Sequence, residues 1–445
     1  MLRALIVAGM NVARLNFSHG THDEYARVIE RVRRLSATLR TPVGVLQDLA
    51  GPKVRIGTFA SGAIDLVAGH PFTLTTRDVT GDERAVSVSY PRLPSEVKPG
   101  DTLLLADGSI TLEVMEVAAK DVRCRVVVGG VLSAHKGVNV PSGLFGLPIL
   151  RENDIADLRF GVQHGVDYVG LSFVRTAEDV LVTRKEIAMA GGDVPIVAKI
   201  ETSAALQRFD EILAEADGIM IARGDLSIET PFARVPVVQK ELIAKANRQA
   251  KPAITATQML FSMVTAPHPT RAEVADVANA VLDGSDAVML SDETTIGKYP
   301  VKAVETMAAI VSETERGTAS HRVAVAPGRD EPEAGVAEDE ALAHGACELA
   351  TRIGADFIAT LTESGRTARL VAKYRPSQAI LAATYRPEAY RRLALVHGIT
   401  PVEVPATSRN RDEMIATAHK ILSDSGLRGK RAVFVTKDSI FVGNV

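Results

Sequence analysis

The chain has 445 residues, which at about 150 residues per domain predicts roughly three domains. Hydrophobic residues make up 46% and charged residues 24%, an ordinary globular balance that excludes global disorder. The 51 basic and 54 acidic side chains leave a formal net charge of −3, so no basic excess exists to hold nucleic acid.

Met1 to Ile6 look like the beginning of a signal sequence, but Arg14, Asn16 and His19 interrupt the run and no small-residue cleavage site follows. Leu2 to Gly9 reads as a helix ended by a glycine cap. From residue 1 to 52, and again from 148 to 321, one unit then recurs: a short apolar run, a polar loop and a longer helical stretch. The runs are Asn11–Asn16, Val43–Asp48, Tyr168–Phe173, Pro195–Ile200, Gly218–Ala222, Pro252–Thr257 and Asp286–Leu290. Apolar strands alternating with helices predict an α/β fold with a parallel sheet, and the spacing predicts a (β/α)8 TIM-type barrel with its site at the C-terminal strand ends. The strand that would precede the first helix has no residues to form it, so the first barrel strand is expected to be absent from this chain.

Residues 53–147 change period. Val122 to Val126 alternates strictly, and Leu103–Ala106 faces Ile110–Leu112 across Asp107-Gly108, a strong hairpin signal. This stretch is expected to be a small inserted β-barrel domain, a lid on the barrel. Residues 322–338 read as a linker rich in proline, glycine and charge. A helix over 339–353 and strands Asp356–Leu361, Ala379–Ala383, Pro401–Val404 and Arg431–Val435 then predict an open α/β domain over 339–445, ending soon after its fourth strand. The only cysteines, Cys124 and Cys347, lie far apart, which excludes a disulfide framework and a cysteine–zinc site and fits a cytoplasmic setting. No run of 18 apolar residues is present, so no membrane-spanning helix is expected.

Polar residues cluster where the barrel strands end: Arg14, Asn16, Asp48, Lys199, Glu201, Asp225, Thr257 and Ser291. Alternation puts Lys199 and Glu201 on one face of their strand. Two readings stand open for them: a structural ion pair, or a lysine that stabilises developing negative charge beside a carboxylate that holds a hard cation. Asp225 follows Gly224 at a tight turn into a helix, as a cap or as a second carboxylate for Mg²⁺. Arg14, Asn16 and Ser18 share one face of an extended segment. Arg14 there either grips a phosphate bidentately or pairs across the barrel.

The segments MNVARLNFSHG (10–20), DLAGPKVR (48–55), HKGVNVP (135–141), AKIET (198–202), DGIMIARGDL (217–226), ATQML (256–260) and DAVMLSDET (286–294) together resemble the pyruvate kinase family. The resemblance runs in order over essentially the whole chain. It implies transfer of a phosphoryl group from phosphoenolpyruvate to ADP, yielding pyruvate and ATP as the last step of glycolysis. It implies that Lys199 stabilises the transition state and the enolate oxygen, and that Glu201 and Asp225 hold Mg²⁺ or Mn²⁺. Gly224, Asp225 and Thr257 would receive the substrate carboxylate and Arg14 its phosphate. Asn16, His19, Arg55 and Lys136 match the nucleotide side, while Ser291 and Glu293, with Thr257, match a network for protonating the enolate. A homotetramer is implied as well.

Two finer expectations follow from the resemblance. Members that need K⁺ hold it at positions matching Asn16, Ser18, Asp48 and Leu49; the residues Leu49 and Lys53 resemble the K⁺-independent pattern, with Lys53 supplying the charge. The loop Thr362, Glu363, Ser364, Gly365, Arg366, Thr367 joins a strand to a helix as a phosphate nest or a plain cap, and matches the place where phosphorylated effectors bind. The sequence departs from the family strings at Phe261, Ser227 and Asp292. The family's first barrel strand and last C-terminal strand are expected to lie outside this chain. Two rival readings remain: an inactive or ligand-binding fragment of the family, and a Mg²⁺-dependent barrel lyase acting on oxoacids. The lyase would not need the lid or Lys136, so turnover that requires ADP separates it from the kinase.

Overall fold

A computed structural model of the chain describes residues 1–141, 143, 146–321, 337–405 and 411–445. Seven parallel strands form one sheet in the order Val12–Asn16, Gly44–Asp48, Tyr168–Leu171, Ile196–Ile200, Gly218–Ala222, Ala253–Ala256 and Ala287–Val288. These are the seven expected runs, Gly218–Ala222 with its bounds unchanged and the others trimmed at one or both ends. Within each strand, neighbouring residues belong to different cores. Val45, Ala198 and Ile219 pack outward against helices, whereas Leu46, Val197 and Met220 meet inside the barrel. Burial on both faces is why these strands read as continuous apolar runs rather than alternating ones. The same alternation sends Lys199 inward between outward-facing Ala198 and Ile200.

The two edge strands, Val12–Asn16 and Ala287–Val288, face each other across a cavity of about 580 Å³ lined by Val12, Leu46, Met220, Ala287 and Met289. Among the described residues no eighth strand pairs with either edge. The floor of the barrel is closed by another part of the chain: Leu395 joins the inner cluster of Leu46, Tyr168 and Met220. Arg391 Nε pairs with buried Asp167 at 2.8 Å, and Tyr168 Oη donates to the Arg392 carbonyl at 2.8 Å. The C-terminal unit is thereby anchored under the barrel, away from its mouth.

The inserted region carries a six-stranded sheet and a two-stranded ribbon around its own core, which includes Phe72, Leu103, Leu112 and Val126. The expected hairpin is present, with Leu105 opposite Ile110 and left-handed φ values at Ala106, Asp107 and Gly108. The C-terminal sheet has five strands, one more than expected. After Arg431–Val435 the chain turns at once, with Thr436 N donating to Ser439 O at 2.9 Å, and returns antiparallel as Ile440–Asn444. The expectation that the domain ends after its fourth strand is corrected by this fifth one. Gly443 in the middle of so short a run hid it, yet a Cβ there would meet the Phe434 ring at 3.2 Å. Glycine lets the two strands close. The strand predicted at Pro401–Val404 runs Ile399–Glu403 and lies at the sheet edge, where Pro401 is tolerated. Most of the predicted linker, 322–336, lies outside the described residues, and Glu338 already begins the helix that ends at Ile353. Among the described residues no helix is long and apolar enough to cross a membrane.

Candidate active site

At the mouth of the barrel the strand ends deliver a compact charge cluster. Register places Asn16 beside Asp48, and Asp48 beside Gly170. Asp48 is 1% exposed and bridges two cations: Arg14 Nη2 at 2.6 Å and Lys199 Nζ at 3.1 Å. The Lys199 ammonium also donates to Ser172 Oγ at 2.7 Å and lies 3.1 Å from Glu201 Oε1. Its three protons therefore have three acceptors, which fixes the head of an otherwise flexible side chain.

Electrostatics follow from this packing. Burial alone would raise Asp48, but Lys199 and Arg14 outweigh it and hold the carboxyl below its usual range. Burial works against charged Lys199, yet Asp48 and Glu201 raise its pKa, so the ammonium stays protonated. Glu201 is pushed up, first by burial and then by the negative charge of Asp225, against the pull of Lys199. Lys199 lies between Asp48 and Glu201, so Asp225 draws its positive partner from elsewhere.

The Glu201 carboxylate is held by Phe173, whose backbone N–H donates to Oε2 at 2.7 Å. Phe173 sits at φ 58°, a left-handed conformation that costs about 1–3 kcal/mol and aims that N–H inward. Asp225 lies in the first turn of helix Arg223–Glu229, and its Oδ1 is 3.7 Å from Lys53 Nζ. Lys53 also lies 4.0 Å from Asp107 of the inserted hairpin and 5.9 Å from the centre of the Phe173 ring. Among the described residues no group of three or more His, Cys, Asp or Glu forms a metal cage. The Glu201–Asp225 pair suits a different ion: Mg²⁺ takes one or two protein carboxylates and leaves its other positions to substrate oxygens and water.

Thr257 follows its strand at φ 72° and Gln258 at φ 56°, two successive left-handed non-glycine residues. Arg223 holds this strained loop in place. Its guanidinium donates to Ala256 O at 3.3 Å and Thr257 O at 2.8 Å, and grips both Asp276 oxygens at 2.7 Å. Thr257 Oγ1 in turn accepts the Gly224 N–H at 2.8 Å. A helix N-terminus and a hydroxyl thus meet at one point of the mouth, a place suited to a carboxylate.

Two family models match the chain, "pyruvate kinase, barrel domain" over residues 1–304 and "pyruvate kinase, alpha/beta domain" over residues 340–443. The chain belongs to the pyruvate kinase family. It is 45% identical to pyruvate kinase 2 of Synechocystis over 94% of this chain and 71% of that protein. With a pyruvate kinase of Thermotoga maritima it shares 40% identity over 99% of this chain and 93% of the relative. A crystal structure of a pyruvate kinase from Cryptosporidium parvum superposes with a TM-score of 0.92 at 36% identity, covering 100% of this chain and 92% of the other.

The remaining residues named from the family strings fall in several places. Asn16, Ser18 and His19 form a turn above the first strand, with Ser18 N donating to Asn16 Oδ1 at 3.2 Å and His19 N to Asn16 O at 3.3 Å. Arg55 and Lys136 lie on paired segments entering and leaving the inserted region, both exposed, and Arg55 Nη1 donates to His135 O at 3.0 Å. Leu49 is buried, its carbonyl taken by Ser172 Oγ at 2.6 Å. Glu293 is buried and accepts the N–H groups of Leu260 and Ser291 at 3.1 and 2.8 Å. It braces the loops that carry Thr257 and Ser291. The loop Thr362–Thr367 is spanned by internal ion pairs: Arg366 Nε meets Asp339 at 2.6 Å, and Glu363 pairs with Arg386. Gly365 at φ 84° opens its helix, and Thr362 and Thr367 are buried.

Of the departures from the family strings, Ser227 donates to Gly224 O at 2.8 Å within its helix, while Phe261 and Asp292 are exposed. Sequence reasoning missed Ser172, Phe173 and the bracing role of Arg223. The first two act through a hydroxyl and a backbone N–H on a strand that reads as plain apolar filler. Arg223 stood inside the ARGDL string, but its partner Asp276 lies 53 residues away.

Proposed function

We propose that this chain transfers the phosphoryl group of phosphoenolpyruvate to ADP in the cleft between the barrel mouth and the inserted lid. A β-phosphate oxygen of ADP bonds to phosphorus as the bond from phosphorus to the enol oxygen breaks, and a proton then reaches the methylene carbon to give pyruvate. Lys199 stabilises the charge that gathers on the enol oxygen. The observation that carries the reading is the Lys199 ammonium, pinned by Ser172, Asp48 and Glu201 at the mouth. In-line transfer asks for positioning and charge neutralisation rather than covalent help from the protein.

The substrate carboxylate takes the Gly224 and Asp225 N–H groups together with Thr257, whose hydroxyl now caps Gly224 and gives up that hydrogen bond. Arg14 turns from Asp48 toward the phosphate. Asn16, His19, Arg55 and Lys136 receive ADP. Ser291 serves the proton-transfer path beside Thr257, and Glu293 holds both loops in register. Glu201 and Asp225 hold Mg²⁺ or Mn²⁺, which when bound neutralises the phosphate oxygens. The protein works in the cytoplasm as a homotetramer, which light scattering checks by a mass of four chains. A coupled assay for pyruvate, with phosphoenolpyruvate, ADP and Mg²⁺, tests the reaction itself. Pyruvate release that does not depend on ADP would overturn it.

Activity is expected not to require K⁺. Lys53 points between Asp225 and the inserted hairpin, where its ammonium supplies fixed positive charge beside the phosphate site. In tetramethylammonium buffer at constant ionic strength, added KCl should change the rate by less than about tenfold, or ~1.4 kcal/mol of barrier. The Lys53→Glu variant should be slower and newly K⁺-responsive.

The Thr362–Thr367 loop is a site for a phosphorylated effector in this reading, and binding has to break the Arg366–Asp339 pair. Arg366→Ala should abolish activation by whichever sugar phosphate or nucleotide activates the wild type. Unchanged activation by every such compound removes the role.

A further inference from the structure

The helix Arg223–Glu229 has two ends that serve different partners. Its first turn presents Gly224 and Asp225 to the barrel mouth. Its last turn meets the inserted region. A Cβ added to Gly108, at the tip of the inserted hairpin, would lie 3.3 Å from Ile228 Cγ2, so the tip rests on that side chain. Glu229, the next residue, takes hydrogen bonds from two directions. Asn139 Nδ2 donates to Oε1 at 3.3 Å, and Ser203 N donates to Oε2 at 3.0 Å. Ser203 Oγ closes a third contact on the Glu229 carbonyl at 2.7 Å.

These partners belong to different bodies. Asn139 is 8% exposed and sits on the strand Val138–Asn139, paired through Leu104 and Leu105 to the inserted hairpin. Ser203 starts the helix that directly follows Glu201 and Thr202. Glu229 itself ends the helix that begins beside Asp225. One carboxylate therefore ties the lid to both strand ends that carry the acidic pair.

We propose that Glu229 is a positioning residue that latches the inserted lid over the barrel mouth through Asn139, so that ADP held by the lid meets a correctly spaced Glu201–Asp225 pair. The inference rests on the phosphotransferase reading above. It predicts a selective defect, because the latch sets the position of the nucleotide side and leaves the contacts to phosphoenolpyruvate within the barrel. A second carboxylate in place of the amide removes the donor to Glu229 and sets a like charge against it, so the contact survives only if one of the two acids takes up a proton.

The test uses the full-length enzyme. Asn139→Asp should lower kcat/KM for ADP by about tenfold or more, the scale of one lost hydrogen bond to a charged group, and should leave KM for phosphoenolpyruvate within about threefold. Hydrogen exchange should quicken at Ile56 and Val138, whose amides donate to Lys136 O and Val54 O in the paired hinge segments. Adding Glu229→Gln to Asn139→Asp restores a donor opposite the new carboxylate while keeping an acceptor for Ser203, so ADP kinetics should recover to within about threefold of wild type. Asn139→Ala, which adds no charge, should shift ADP kinetics in the same direction by less. A double variant as impaired as Asn139→Asp, or an equal loss for both substrates, overturns the latch. Wild-type protein without ADP-dependent turnover would instead remove the phosphotransferase reading, and the exchange measurement would still decide whether Glu229 holds the lid.

Discussion

Replacing Lys199 with methionine lowers the rate of pyruvate formation by about 10²–10³, the loss expected when one preorganised donor at a developing charge is removed. The geometry makes this effect larger than for an exposed lysine. Its ammonium is held by Ser172, Asp48 and Glu201, so its position is set before charge develops and only one of the three contacts has to give way to the enol oxygen. The same variant loses stability. Asp48 keeps Arg14, but Glu201 is left buried beside Asp225 with only the Phe173 N–H as a partner. Breaking a buried pair in this way costs about 3–5 kcal/mol. Because Glu201 is already pushed upward, it relieves part of that cost by taking up a proton. Coupled-assay kcat and urea unfolding of the same preparation separate the two effects. A rate within about tenfold of wild type, in protein of unchanged fold, would remove Lys199 from the chemistry.

The second large effect concerns Glu201→Gln. The substitution keeps the shape and an acceptor for the Phe173 N–H but removes the negative charge that faces Asp225 and Lys199. A divalent ion then has one carboxylate instead of two. Both Mn²⁺ affinity, read by electron paramagnetic resonance without substrates, and turnover against Mg²⁺ concentration are expected to weaken by about tenfold or more. Unchanged Mn²⁺ binding and an unchanged Mg²⁺ profile would reject the pair as the metal site. In the absence of metal the variant should be no less stable, because burial, the largest influence on Glu201, already disfavours its charge and offsets the lost pairing with Lys199.

How much of this was legible in the sequence differs by element. The seven barrel strands, the hairpin at Asp107-Gly108 and the strand Arg431–Val435 were legible, because apolar continuity, strict alternation and a two-residue turn are local signals. Ile440–Asn444 was not. Its run is short, contains Gly443 and follows its partner after a tight turn, so it shows as a strand only through its antiparallel pairing with Arg431–Val435, where Phe441 stacks on Phe434 at 5.0 Å. Lys199, Glu201 and Asp225 could be named because charged residues at apolar strand ends stand out. Ser172, Phe173 and Arg223 act through a hydroxyl, a backbone N–H and a distant aspartate, none of which leaves a mark on local pattern.

By itself the sequence determined the kind of fold, the order of its parts and the family. Strand spacing, the change of period after residue 52 and the strings at the strand ends are all properties of neighbouring residues. Only the tertiary structure decided how the charges are shared. Asp48 reads as a candidate for a monovalent ion, yet it is the buried carboxylate that joins Arg14 to Lys199. Lys53 reads as a charge standing in for a monovalent ion, and only the fold shows that it lies between Asp107 and Asp225. Glu229 carries no motif signal, and it ties the lid to the barrel through Asn139 and Ser203. The physical reason is common to the three. Coulomb and hydrogen-bond energies depend on distances of a few ångströms between groups brought together from far along the chain, and on the burial that sets their dielectric surroundings.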